Sequence, residues 1–298
     1  MIQITSSNVL SLHRCQVMRF SDASAVMMYR QKPLIMGVLN ATPDSFSDGG
    51  RFLKRQDAAI RVERMIAEGA DIIDVGGESS RPGATEVSCA EELARVLPVI
   101  ECIRAISDIC ISIDTQKADV MKAAVLAGAS FINDIHALQG RGALSVASQL
   151  DVPVCIMHMQ GLPGFMQANP HYANSIIDEI NHFFEQRIQA CVDAGISRER
   201  LILDPGFGFG KSVEHNLSLM NGMAAFQRHG LPLLLGVSRK STLGAITHAS
   251  VGARGPAGIA SAVFAALQGV RIIRTHDVGE TNQALQMLDA IVSAHKDT

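Results

Sequence analysis

Residues 34–50 read LIMGVLNATPDSFSDGG. The apolar run at 34–39 has the Ile, Val and Leu content of a buried strand, and it stops abruptly at Asn40. A loop crowded with short polar side chains follows. Thr42-Pro43-Asp44 and Ser47-Asp48-Gly49-Gly50 favour bends and positive φ. Taken alone, this is as well explained by an ordinary surface turn as by a functional loop. Its recurrence along the chain decides the matter, because a buried strand feeding a polar loop is how α/β proteins present chemistry at strand ends.

Short apolar runs recur at 72–75, 110–113, 131–132, 153–157, 201–203, 232–237 and 271–274. They lack polar alternation, as parallel strands buried on both faces do. Amphipathic stretches at 57–68, 89–106, 117–127, 172–194 and 255–267 read as helices between them. Gly69, Gly128, Gly195, Gly230 and Gly269 sit where those helices should end. Eight strand–helix units within roughly 250 residues is the arithmetic of a (β/α)8 TIM barrel in the α/β class. An open doubly wound sheet is the competing arrangement, since periodicity does not reveal strand order. The expected organisation is a single barrel domain over residues 31–298. A short N-terminal extension, residues 1–30, breaks the pattern and is expected to form a hairpin closing the barrel bottom or to fray.

With 298 residues and 47% hydrophobic content, the chain can bury a large core. A formal charge of −3 leaves no basic footprint, which argues against nucleic acid or an anionic membrane as main partner. No Trp, two Tyr and eleven Phe make stacking platforms for single strands an unsuitable reading. The six cysteines (Cys15, Cys89, Cys102, Cys110, Cys155, Cys191) show no CxxC pair and no zinc-ligand spacing. They read as reduced, small buried side chains in a cytoplasmic protein. No basic-then-apolar leader opens the sequence, and the apolar stretch 261–273 is too short to span a membrane. The expectation is a soluble protein.

Polar residues follow almost every predicted strand: Asn40, Asp74, Asp114, Asn133-Asp134, His158, Asp204, Ser238-Arg239-Lys240, and Arg274 with His276. A single acid there is often only a helix N-cap, and Asp114 before Thr115 fits that plainer reading. Capping does not explain so many converging on one barrel face. Asp114, Asn133, Asp204 and Lys240 combine acceptors, an amide and a cation, as an amino-pyrimidinone edge requires. Arg81, Arg274 and His276 form a cationic set expected nearer the rim, with Asn40 as an oxygen ligand for a metal. Guanidinium groups with Mg²⁺ are a usual means of holding a diphosphate. Structural ion pairs and a strand-end cap are the plainer alternatives for these residues.

Residues 204–212, DPGFGFGKS, nearly spell a phosphate-binding P-loop. The spacing would demand glycine at Pro205, whose fixed φ and missing N–H spoil the amide nest, so that function is rejected. The glycines are expected to let the chain turn while aiming Phe207 and Phe209, one toward core and one toward substrate. Residues 76–84, GGESSRPGA, read as a lid or as a solvated loop. His158 is left unassigned.

The motifs NATPDSFSDGG, DVGGESSRPGA, SIDT, FINDI, MHMQG, LILDPGFGFGK, GVSRKS and IIRTHDV occur in that order. With them the chain resembles the dihydropteroate synthase family from about Leu34 to its end. The resemblance implies a TIM barrel, a homodimer formed through late helices, and condensation of 6-hydroxymethyl-7,8-dihydropterin diphosphate with p-aminobenzoate. It implies that Asp114, Asn133, Asp204 and Lys240 hold the pterin. By the same resemblance Asn40 binds Mg²⁺ and diphosphate, and Arg274 and His276 contact the anion. Ser80, Arg81, Pro82, Phe209 and Ser241 would frame p-aminobenzoate with Lys240. Departures are small: Ser80 stands where the family usually has Thr, and Ala41 and Thr275 replace commoner residues. The expected chemistry is a dissociative substitution at the pterin methylene, with Lys240, Asp204, Asp114, Arg274 and His276 as its catalytic groups. A methyltetrahydrofolate-type methyltransferase and a non-catalytic pterin-binding protein are the rival functions.

Overall fold

A computed structural model describes residues 32–41, 51–79, 87–161, 166–167 and 170–294. The extension at 1–30, the polar loop at 42–50 and residues 80–86 therefore lie outside the described residues. The strands are β1 (Leu34–Asn40), β2 (Ile72–Gly76), β3 (Cys110–Asp114), β4 (Phe131–Asp134), β5 (Val154–Met157), β6 (Leu201–Asp204), β7 (Leu234–Gly236) and β8 (Ile272–Thr275). All pair in parallel, in the order β6-β5-β4-β3-β2-β1-β8-β7. The two ends of that order meet through a parallel bridge between Leu203 and Leu233, with Leu203 N donating to Pro232 O at 3.0 Å. Consecutive order around a ring excludes the doubly wound alternative, in which the order reverses at a switch point. The chain is a nearly closed (β/α)8 barrel.

Nine α-helices lie among the described residues: α1 (Arg51–Ala67), α2 (Cys89–Ile106), α3 (Ala118–Leu126), α4 (Ala143–Gln149), α5 (Ile176–Asp193), α6 (Val213–Asn221), α7 (Ser241–Thr247), α8 (Gly255–Leu267) and α9 (Val278–Ala294). The five glycines expected at helix ends all take positive φ, which a side chain would resist. None of the described helices is long and apolar enough to cross a membrane.

The strand ends carry the main difference from the sequence expectation. β1, β2, β3 and β6 each run one residue further, taking in Asn40, Gly76, Asp114 and Asp204, and β4 runs on through Asn133 and Asp134. Hydrophobicity stops before the backbone ladder does: Ala41 N still bonds Gly76 O at 2.8 Å and Thr115 N bonds Asn133 O at 3.1 Å. Conversely, the run 232–237 yields only a three-residue β7.

Strand alternation sorts side chains between two apolar regions. Outward-facing residues such as Ile73, Val75, Ile113 and Ile132 pack against the helices. Inward-facing Leu34, Met36, Ile72, Phe131, Cys155, Ile202, Leu234 and Ile272 fill the barrel floor. Two residues further along the same faces stand Asp74, Asn133, Asp204 and Arg274, so the lumen turns from apolar to polar toward the strands' C-terminal ends. Phe131 is fully buried in that floor. Phe131→Ala is expected to destabilise the protein by ~3–5 kcal/mol in urea unfolding; a loss under about 1 kcal/mol would mean the floor is not a packed layer.

Candidate active site

At the centre of the polar layer, Arg274 of β8 bridges two carboxylates. Its Nε lies 2.6 Å from Asp74 Oδ2 and its Nη2 lies 2.8 Å from Asp114 Oδ2. Asn133 Nδ2 donates to the same Asp74 carboxylate, at 3.3 Å to Oδ2 and 3.5 Å to Oδ1. Two glycines border this cluster at contact distance. A Cβ at Gly76 would stand 3.5 Å from Asp114 Cβ, and one at Gly236 would stand 3.5 Å from Arg274 Cβ. Burial pushes the Asp114 carboxyl up to about 7; Arg274 pulls it down and the Asp74 carboxylate reinforces the rise. Burial also works against the Arg274 charge, but Asp74 and Asp114 together outweigh it and hold that group above its ordinary value.

The loop after β6 supplies the opposite wall. Asp204 Oδ1 accepts from Gly206 N at 2.8 Å, and burial raises the Asp204 carboxyl against the pull of Lys240. Lys240 Nζ donates to Phe207 O and sits 4.4 Å from the centre of the Phe209 ring. Burial pushes the Lys240 amine down to about 7, opposed by Asp204. Phe207 is buried in the core, while Phe209 is half-buried beside Lys240. Gly206, where φ is +70°, has no space for a side chain against the His158 carbonyl.

Several amides of this loop are turned to internal acceptors. Gly208 N is bonded to Asn216 Oδ1 at 2.7 Å. The buried Lys211 amine is engaged by Phe209 O and His158 Nδ1, each at 3.0 Å. Its partners are internal, in agreement with rejection of a P-loop. His158 is pushed down to about 2, by burial first and by Lys211 second, so it is a neutral structural imidazole.

Asn40 ends β1 in a half-buried position beside Gly76. His276 Nδ1 lies 3.0 Å from Ser238 Oγ, and Ser241 opens α7 with an exposed side chain. Ser80, Arg81 and Pro82 lie outside the described residues. At the near end of that segment Glu78 pairs with Lys117, which also meets the buried Glu92 at 2.6 Å.

Three expectations change. Arg274 is not a rim cation: alternation with Ile272 turns it into the lumen, where two acids claim it. Asp134 faces away from the site; its carboxylate accepts from His136 N at 2.7 Å and Leu138 N at 2.8 Å, bracing the turn after β4. Asp74, assigned to neither polar set from sequence, joins both. Its parity with lumen-facing Ile72 was the available signal.

A largely buried acid–amide–amine cluster on the strand C-terminal face is what a barrel enzyme acting on a polar ligand presents. Residues 36–276 match the family described as pterin binding enzyme. The dihydropteroate synthase of Escherichia coli strain K12 is 49% identical over 262 residues, covering 88% of this chain and 93% of the relative. The Neisseria meningitidis serogroup C dihydropteroate synthase is 45% identical over 265 residues, with 87% and 93% covered. Among solved structures, the Yersinia pestis dihydropteroate synthase in complex with a sulfonamide drug superposes with a TM-score of 0.84 at 48% identity, covering 88% of this chain and 95% of that one. The chain belongs to the dihydropteroate synthase family of pterin-binding transferases.

The Lys240 environment yields a direct test. In the ligand-free protein its amine is expected to titrate near pH 7, followed by NMR of labelled lysine. Asp204→Asn should lower that midpoint further, because the Asp204 carboxylate is what opposes burial. An ordinary lysine midpoint in both proteins would refute the buried placement.

Proposed function

We infer that the chain joins 6-hydroxymethyl-7,8-dihydropterin diphosphate to p-aminobenzoate, giving 7,8-dihydropteroate and pyrophosphate. The observation that carries this reading is the convergence of Asp114, Asn133, Asp204 and Lys240 around Arg274 on one end of the barrel. In this reading the two acids and the amide meet the ring's N–H groups and the Lys240 ammonium meets its carbonyl. Arg274 and His276 face the diphosphate. Phe209, Ser241 and the stem of Lys240 frame p-aminobenzoate, to which the family resemblance adds Ser80, Arg81 and Pro82.

The substitution is dissociative. The bond between the methylene carbon and the diphosphate oxygen breaks, and its electron pair leaves with the diphosphate, whose developing charge Arg274 and His276 stabilise. The pterin delocalises the resulting cation, and the carboxylates of Asp114 and Asp204 offset it. The aryl amine then attacks, forms the carbon–nitrogen bond and releases its proton to solvent or pyrophosphate. No strong general base is needed for so electrophilic a carbon.

Mg²⁺ would be held by Asn40 together with the oxygens of the diphosphate. Among the described residues no group of three or more His, Cys, Asp or Glu side chains is placed to hold a metal. Asn40 supplies one oxygen, and Mg²⁺ habitually takes the rest from phosphates and water. When bound, the ion would neutralise charge on the departing diphosphate.

Exposed Phe264 and Leu267 on α8, with Met287 and Ile291 on α9, support self-association through the late helices. Light scattering on a sizing column should find dimers, and Leu267→Glu with Met287→Glu should find monomers. Cys89, Cys110, Cys155 and Cys191 carry free thiols, which supports a reducing, cytoplasmic compartment.

Mixing both substrates with Mg²⁺ is expected to release pyrophosphate, and Lys240→Ala or Asp204→Asn should slow release by about 100-fold or more. Near-native turnover in either variant would overturn the assignment, and persistent activity in excess EDTA would remove the metal from it. Pterin affinity should peak near pH 7. It falls below that as Asp114 protonates and loses its acceptor, and falls above it as Lys240 loses its donor charge. In Lys240→Met the alkaline limb should vanish.

A further inference from the structure

Asp74 is the most deeply buried acid of the cluster. It is 1% exposed and lies on the lumen face one inward position below Gly76. Yet it accepts from two residues of the proposed site, Asn133 Nδ2 at 3.3 Å and Arg274 Nε at 2.6 Å. Both contacts have consequences for orientation. A carboxylate accepts only from the amide's N–H₂ end, so Asn133 is held with Oδ1 as its remaining acceptor. A guanidinium held at Nε by Asp74 and at Nη2 by Asp114 has its plane fixed by the two contacts.

We propose that Asp74 is a positioning residue serving both halves of the site, setting which end of the Asn133 amide the ring meets and which edge of Arg274 faces the anion. The proposal rests on the pterin and diphosphate reading given above. A carboxylate that merely balanced the Arg274 charge would affect only the anion half. A residue that merely supported the fold would weaken every ligand in every background.

The test is a pair of double-mutant cycles in the full-length protein. Calorimetry follows 6-hydroxymethylpterin, which carries no anion, and separately inorganic pyrophosphate with Mg²⁺. Asp74→Asn is expected to weaken each by about tenfold or more. The loss for the pterin should vanish in an Asn133→Ala background and persist in Arg274→Met. The loss for pyrophosphate should vanish in Arg274→Met and persist in Asn133→Ala. Where Asp74→Asn fails to fold, Asp74→Ser is carried through the same cycles. Penalties undiminished in every background, or native affinities in the Asp74 variant, overturn the proposal alone. Native protein that binds neither ligand overturns the functional reading and the proposal with it.

Discussion

One wall of the polar end of this barrel is arranged around a guanidinium shared by two acids. Arg274 touches Asp74 and Asp114, residues 200 and 160 positions away in the chain. Neither partner is reachable unless β8 sits beside β1 and the ring continues through β2 and β3. Burying several carboxylates at a lumen mouth is costly without a countercharge, and removing one member of such a cluster strands the others. The bridge therefore makes the site possible and ties it to correct strand order. The apolar floor beneath, centred on Phe131, Met36 and Ile272, keeps water from the underside.

The same burial leaves the free site poised close to neutrality. Asp114 is pushed up and Lys240 is pushed down, both to about 7, by desolvation that specific neighbours only partly oppose. A ring offering N–H donors to Asp114 and a carbonyl to Lys240 stabilises the charged form of each. In the proposed reading substrate would complete the electrostatics of the pocket, while Arg274 supplies a cation whose protonation is secure. The loop after β6 belongs to the same design. Lys211, spent on internal acceptors, holds the chain that presents Phe209 and the carbonyl on which Lys240 rests.

Much of this was legible in the chain. Each apolar run ending in a polar loop located a strand, and parallel strands buried on both faces cannot hide among alternating ones. The positive-φ glycines marked helix ends for the same steric reason that makes them necessary. What was lost concerns the last residues of strands. Asp114 and Asp204 are polar by composition yet laddered by backbone, so hydrophobicity ends a strand too early. The parity of those residues decides their roles, and parity needs the register. Asn133 and Asp134 are neighbours in sequence, but one faces the lumen and the other braces a turn. Asp74 and Arg274 could have been paired only by knowing that their strands flank β1.

Arg274 is shared between Asp74 and Asp114, so the proposed reading implies that the ring and anion halves of the site bind interdependently. A ring that donates to Asp114 competes with Nη2 for that carboxylate and frees the guanidinium edge for the diphosphate. The direct measurement is the affinity for inorganic pyrophosphate, with Mg²⁺, in the absence and presence of saturating 6-hydroxymethylpterin. The shared guanidinium predicts tighter pyrophosphate binding in the presence of the ring, by about fivefold or more, with the reciprocal gain for the ring. An unchanged pyrophosphate affinity would contradict it.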